Sequence, residues 1–243
     1  MTHDDAGPVI AFFDVDNTLL RGASVYHLGR GAQRRGLLSL RDLLRFGWHQ
    51  VRFIAVGEKW EQITGVRERA LELVGGLSEA ELIGVAEEVY DDFIAPMLWP
   101  ETVELTREHL RLGHQVWLIT ATPVVIADLI ATRLGLTGAL GTLLESVDGR
   151  YSGHLLGHVL HGQLKAEAAT GLAADVGADL AHCWAYSDSL NDIPLLELVG
   201  NRVAVNPDAR LARHSRESGW RILRLRTSSI RRARRARRTA RGR

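Results

Sequence analysis

Cysteine is almost missing: Cys183 is the only one in 243 residues. An intramolecular disulfide and a cysteine metal cluster are therefore excluded, and the setting His182-Cys183-Trp184-Ala185 reads as core packing. No stretch approaches the roughly 18 apolar residues of a membrane helix. The start, Met1-Thr2-His3-Asp4-Asp5, lacks the basic and apolar regions of a signal peptide. A soluble, cytoplasmic protein is expected. Lysine is nearly absent too, with Lys59 and Lys165 the only two in a chain that otherwise uses arginine. Acids are missing from one end. Residues 226–243 hold nine of the 30 basic residues and none of the 29 acidic ones, so the net charge of +1 hides an acidic body and a basic tail. A hydrophobic share of 46% is enough for a real core, and the length suits one large domain or a domain with an insertion.

The stretch that organises the rest is Phe12-Phe13-Asp14-Val15-Asp16-Asn17-Thr18-Leu19-Leu20. Val9 to Phe13 form an apolar run that reads as a strand buried on both faces of a parallel sheet. Asp14 and Asp16 follow at its carboxyl end, on one side by the two-residue period, where ligands of open α/β sheets bind. Two neighbouring carboxylates call for a cation, and an oxygen-only donor set at a strand end suits Mg²⁺. Taken alone, the pair could simply cap a turn.

Helical spacing then runs through Leu37, Leu38, Leu40, Leu43, Leu44, Trp48, Val51 and Ile54, with further helices at about 58–74 and, behind a capping-box pair Ser78 and Glu81, at about 79–94. No strand pattern appears between 22 and 98, so a helical insertion follows the first strand. The α/β pattern resumes with a helix over 101–112 stopped by Gly113, then a strand over Gln115 to Ile119 that delivers Thr120-Ala121-Thr122-Pro123. Thr120 is placed to donate to a phosphate oxygen. Thr122 reads as the N-cap of a helix that starts at Pro123 and ends near Gly135. A hairpin over 143–156 precedes a helix that Lys165 opens. A point charge at a helix start can hold an anion, although an isolated lysine is commonly a surface residue. The strand Cys183 to Tyr186 leads into Ser187-Asp188-Ser189-Leu190-Asn191-Asp192, a second acidic cluster at a strand end. A strand at 202–205, a helix at about 208–217 and a strand at 221–225 follow. The tail from Ser228 is expected to be disordered for want of apolar residues.

With these residues in this order, the chain resembles the haloacid dehalogenase superfamily of phosphohydrolases, and within it the phosphoserine phosphatase-like group, over about residues 8–225. The carriers are Asp14-Val15-Asp16-Asn17-Thr18, Thr120, Lys165, and Ser187-Asp188 through Asp192. The resemblance implies a Rossmann-like α/β fold, with a parallel sheet, helices on both faces and an inserted helical cap domain. It divides the chain into a core of 8–20 and 99–225, a cap of 21–98 and a tail of 226–243. It implies a phosphomonoester hydrolase in which Asp14 is the nucleophile and Asp16 the acid and base, with Mg²⁺ held by Asp14, Asp188 and the Asp16 carbonyl and supported by Asp192. Thr120 and Lys165 would stabilise the transferring oxygens, and Asn191 would contact the phosphate. In that group a glutamate shortly after the first motif receives the substrate amine and a cap arginine its carboxylate. Here Ala23 stands where the glutamate is expected, and Arg67 is the candidate arginine.

A small phosphorylated metabolite, phosphoserine-like in the simplest case, is thus the expected substrate. The same aspartyl intermediate would also permit phosphoryl transfer to another acceptor. A reading from another class is a binding protein whose arginine tail holds nucleic acid or an anionic surface by salt-dependent attraction, without aromatic stacking.

Overall fold

The computed structural model describes residues 7–34, 36, 71 and 74–241. The expected helices at about 34–60 and 58–74, and Arg67, lie outside the described residues apart from the edges of those spans.

Six parallel strands form one sheet in the order β3-β2-β1-β6-β7-β8. They are β1 (Ile10–Phe13), β2 (Gln115–Pro123), β3 (Gly138–Thr142), β6 (Trp184–Ser187), β7 (Asn201–Val205) and β8 (Arg221–Leu223). The antiparallel pair β4 (Leu144–Val147) and β5 (Arg150–Leu155) is the expected hairpin. β1 is buried at all four positions, because successive side chains enter two different cores. Ala11 and Phe13 pack with Val116, Leu118 and the helix residues Ile126 and Ile130. Ile10 and Phe12 pack on the other face with Ala169, Leu195 and Leu211. Helices α3 (Pro100–Arg111) and α4 (Val124–Leu134) thus cover one face, and α5 (Gln163–Val176), α6 (Ile193–Leu198) and α7 (Ala209–Glu217) the other. Cys183 is fully buried in the second core, as expected.

Between β1 and β2 the described chain is helical. α1 (Ser24–Arg34) packs on α2 (Glu79–Val89), and a π-helical turn (Tyr90–Ile94) and a 3₁₀ turn (Ala95–Met97) lead back to the sheet. The capping box at the head of α2 is formed: Ser78 N donates to Glu81 Oε2 at 2.7 Å and Glu81 N to Ser78 Oγ at 3.2 Å. Among the described residues no helix is long and apolar enough to cross a membrane.

Two expectations are corrected, and one strand is added to them. β2 runs on through Thr122 to Pro123, so Pro123 itself occupies the N-cap position of α4 and Thr122 caps nothing. β3 carried no strand pattern; Gly138 and Gly141 leave it few side chains to read. The expected disorder does not hold for Thr227–Arg241: these residues form helix α8, since arginine and alanine are good helix formers and Ile230, 3% exposed, anchors them to the body.

Candidate active site

The chain builds outward from β1 to β2 and β3 on one side, then crosses back to lay β6, β7 and β8 on the other. The seam between β1 and β6 is therefore the point where the strand order reverses, and the crevice beyond its carboxyl end is where such sheets bind ligands. Asp14 is the first residue past β1, and its N–H closes the seam by donating to Tyr186 O at 2.9 Å. The registers Phe13 to Leu118 and Phe13 to Tyr186 put Thr120, on β2, and Asp188, the first residue past β6, on either side of it.

Lys165, in the first turn of α5, ties two of the acids together. Its Nζ donates to Asp14 Oδ1 at 2.6 Å and to Asp192 Oδ2 at 2.7 Å, with all three side chains buried. Ser187 Oγ donates to the same Asp192 oxygen at 2.7 Å. Asp192 thus anchors the lysine. Burial pulls the Lys165 ammonium down, but the two carboxylates outweigh that and hold it above its usual range, so it stays charged. Burial pushes the Asp14 carboxyl up; Lys165 opposes the rise and Asp192 and Asp16 add to it.

Asp16 is placed by a tight turn. Asn17 adopts a left-handed φ of 57°, exchanges hydrogen bonds with Gly22 through its N–H and its Oδ1, and so folds the chain back toward α1. Ser24 N, at the start of α1, then donates to Asp16 Oδ1 at 2.8 Å. Burial raises the Asp16 carboxyl above its ordinary value, and the Ser24 contact works against that rise. A carboxyl biased toward its protonated form, yet held on a helix start that also tolerates the anion, is suited to giving and taking a proton.

A hydroxyl chain connects the two sides: Ser24 Oγ lies 2.6 Å from Thr122 Oγ1, and Thr120 Oγ1 donates to Thr122 Oγ1 at 3.1 Å. Reading Thr122 as a helix cap hid this contact, and Ser24 gave no signal because its partners are the distant Thr122 and the Asp16 side chain. Asp188 is raised well above its usual value by burial first, then by Asp14 and Asp192. Asn191 is exposed, and its side chain has no partner among the described residues.

Four carboxyl groups, Asp14, Asp16, Asp188 and Asp192, therefore share one lysine. Asp14 and Asp192 are buried and Asp16 and Asp188 half-buried, and this excess of acid, offered through oxygen alone, fits a hard divalent cation. Among the described residues no three His, Cys, Asp or Glu side chains converge on one metal position. The set that the resemblance implies, Asp14 and Asp188 with the Asp16 carbonyl, contains only two carboxylate side chains and so agrees with that, and Mg²⁺ commonly keeps several waters.

The family model of haloacid dehalogenase-like hydrolases matches residues 11–197. A Mycobacterium tuberculosis protein named as a phosphoserine phosphatase is 53% identical over 213 residues, 87% of this chain and 69% of its own length. A histidinol-phosphatase of Neisseria meningitidis is 30% identical over 226 residues, 88% of this chain and 97% of the relative. The crystal structure of a Bordetella pertussis protein of unknown function superposes with a TM-score of 0.77 at 30% identity, over 90% of this chain and 99% of that one. A match running from the first strand through the acidic loop admits one conclusion, that this chain belongs to the haloacid dehalogenase-like hydrolases.

Proposed function

We propose that the chain is a Mg²⁺-dependent phosphomonoester hydrolase that works through an aspartyl-phosphate on Asp14. The observation that carries this is the buried arrangement at the switch point: Asp14 held 2.6 Å from Lys165, with Asp16 held separately by the head of α1. One acid is fixed beside a permanent positive charge, and the other is biased toward carrying a proton.

In the first step an Asp14 oxygen attacks phosphorus and the bond to the ester oxygen breaks, while Asp16 gives its proton to that leaving oxygen. In the second, Asp16 takes a proton from water, the water oxygen attacks phosphorus, and the bond to Asp14 breaks, releasing phosphate. Lys165 holds charge on the non-reacting oxygens, and the Thr120 hydroxyl joins it by turning its one hydrogen from Thr122 to the phosphate. Asp14, Asp188 and the Asp16 carbonyl would hold Mg²⁺, which when bound offsets the repulsion between the phosphate dianion and Asp14. Asn191, one residue before Asp192, is free to reach the phosphate. The substrate is a small phosphorylated metabolite. The two named relatives point to phosphate esters of amino-acid-like alcohols, with phosphoserine the first to try. The helical segment that includes α1 and α2 acts as the cap, and Arg67, which lies outside the described residues, is the sequence's candidate for contact with a substrate carboxylate.

The test is phosphate release from an aryl phosphate and a metabolite panel that includes phosphoserine and histidinol phosphate, with and without Mg²⁺. Wild type is expected to release phosphate only with the metal, and Asp14→Asn to lose at least about a thousandfold in kcat. Release that survives Asp14→Asn would overturn the covalent mechanism. Release of equal rate in metal-free buffer would overturn the Mg²⁺ assignment.

A further inference from the structure

The crevice makes no use of α8, and α8 is where the chain's positive charge is concentrated. Residues 226–243 contain nine arginines and no acid. The helix is fastened to the body along one side. Ile230 is buried, Ser229 Oγ donates to Glu101 Oε2 at 3.0 Å, and Arg237 donates to Ala95 O at 2.9 Å. That docking decides which side faces outward. Arg231, Arg232, Arg234 and Arg235 are exposed, and none of their guanidinium groups has an ion pair or hydrogen bond among the described residues. At 3.6 residues per turn the four spread over about 160° of the helix circumference.

Charge alone would suit any polyanion, and two features narrow the choice. The outward face has no bulky apolar side chain, because Ile230 is turned into the core. A helix that lies in a bilayer interface needs an apolar face to insert. The arginines also cover the crest and both flanks of the helix, whereas a flat surface meets only a narrow stripe. A groove with phosphates on both walls meets all of them; the major groove of duplex DNA, about 12 Å wide, admits an α-helix. Guanidinium forks then pair with phosphate oxygens in bidentate fashion.

We propose that the outer face of α8 docks on the phosphate backbone of a polynucleotide, by charge and without reading its sequence. The segment has no aromatic residue to stack on bases. Neutralising about four phosphates makes the affinity fall about a hundredfold between 50 and 200 mM salt.

Fluorescence anisotropy of labelled 20-base-pair DNA and RNA duplexes, titrated with the full chain at both salt concentrations, measures this. Vesicles of phosphatidylcholine with and without phosphatidylserine run in parallel. The comparison protein carries Arg231→Gln, Arg232→Gln, Arg234→Gln and Arg235→Gln together. Its fold is checked by circular dichroism and melting, so the result stands whether or not the chain releases phosphate. Duplex binding that falls about a hundredfold with salt and is lost in the quadruple variant is the expected result. If that variant melts early, single Arg231→Glu and Arg235→Glu variants replace it, each expected to weaken binding several-fold. No duplex binding at 50 mM salt, binding that survives the substitutions, or capture by the anionic vesicles in place of the duplexes would each overturn the proposal.

Discussion

Lys165 sits where water does not reach, and its ammonium donates to two acids supplied by two other elements. Asp14 comes from the end of β1 and Asp192 from the 3₁₀ turn after β6, so the lysine ties the sheet to the acidic loop. Removing it leaves two buried carboxylates facing each other with no cation between them. Lys165→Met is therefore expected to lower stability by about 3–5 kcal/mol in Mg²⁺-free buffer, the usual penalty for removing one partner of a buried ion pair. Urea denaturation measures this, and a loss under about 1 kcal/mol would show that the acids are satisfied without the lysine. From sequence, Lys165 stood out through its rarity, and Asp14 and Asp16 through their spacing after an apolar run. Ser24 and Thr122 did not, because what places them is a contact across 98 residues of chain.

At the scale of elements, the packing of α1 on α2 is set by a single missing side chain. A Cβ added at Gly31 would lie 2.1 Å from Val89 Cγ2 and 3.4 Å from Val89 Cβ, so the two helices approach as closely as they do only because residue 31 has none. In an open helix Gly→Ala stabilises by about 1 kcal/mol. Here Gly31→Ala is expected to destabilise by about 1–3 kcal/mol through overpacking, read as a lowered urea midpoint. A stabilised variant would mean that α1 and α2 can separate freely. Since α1 also presents Ser24 N to Asp16, any shift of this helix moves that carboxyl. A similar constraint explains β3: the Trp117 ring lies over Gly138, where a Cβ would fall 2.6 Å from it. The strand exists because β2 offers it an edge to pair with, and its own residues announce nothing.

For the whole molecule, one buried group sets a dependence on pH that is separate from the active site. His109, on α3, packs against the sheet with Nε2 2.8 Å from Tyr186 Oη and Nδ1 2.8 Å from His114 Nδ1. Burial, with His114 adding to it, lowers its pKa from 6.5 to about 4. The folded value lies below the unfolded one, so as pH falls the unfolded chain takes up the proton first. The stability that rests on neutral His109 is complete above about pH 6.5 and is lost progressively toward pH 4. The raised carboxyls of the crevice act in the opposite sense, so the informative quantity is the difference between wild type and His109→Gln. Urea midpoints are expected to fall more steeply with acid in wild type, by up to about 1.4 kcal/mol per pH unit for one proton. Parallel curves for the two proteins would remove His109 as the source.

Periodicity, punctuation and local charge are properties of neighbouring residues, and what depends on them was determined by the sequence alone: β1 as a strand buried on both faces, the capping box at Ser78 and Glu81, the Gly135 stop and the acidic pair at a strand end. Thr122 in a strand, β3 as an edge and the docked α8 belong to another class. Each is decided by a partner far along the chain, Ser24 for Thr122, Trp117 and the β2 edge for β3, Glu101 and Ala95 for α8. Composition made residues 226–243 read as disordered, because nearly all of their side chains prefer water. Tertiary structure overrode it because one isoleucine and a few hydrogen bonds suffice to hold a segment whose arginines and alanines already favour the helix.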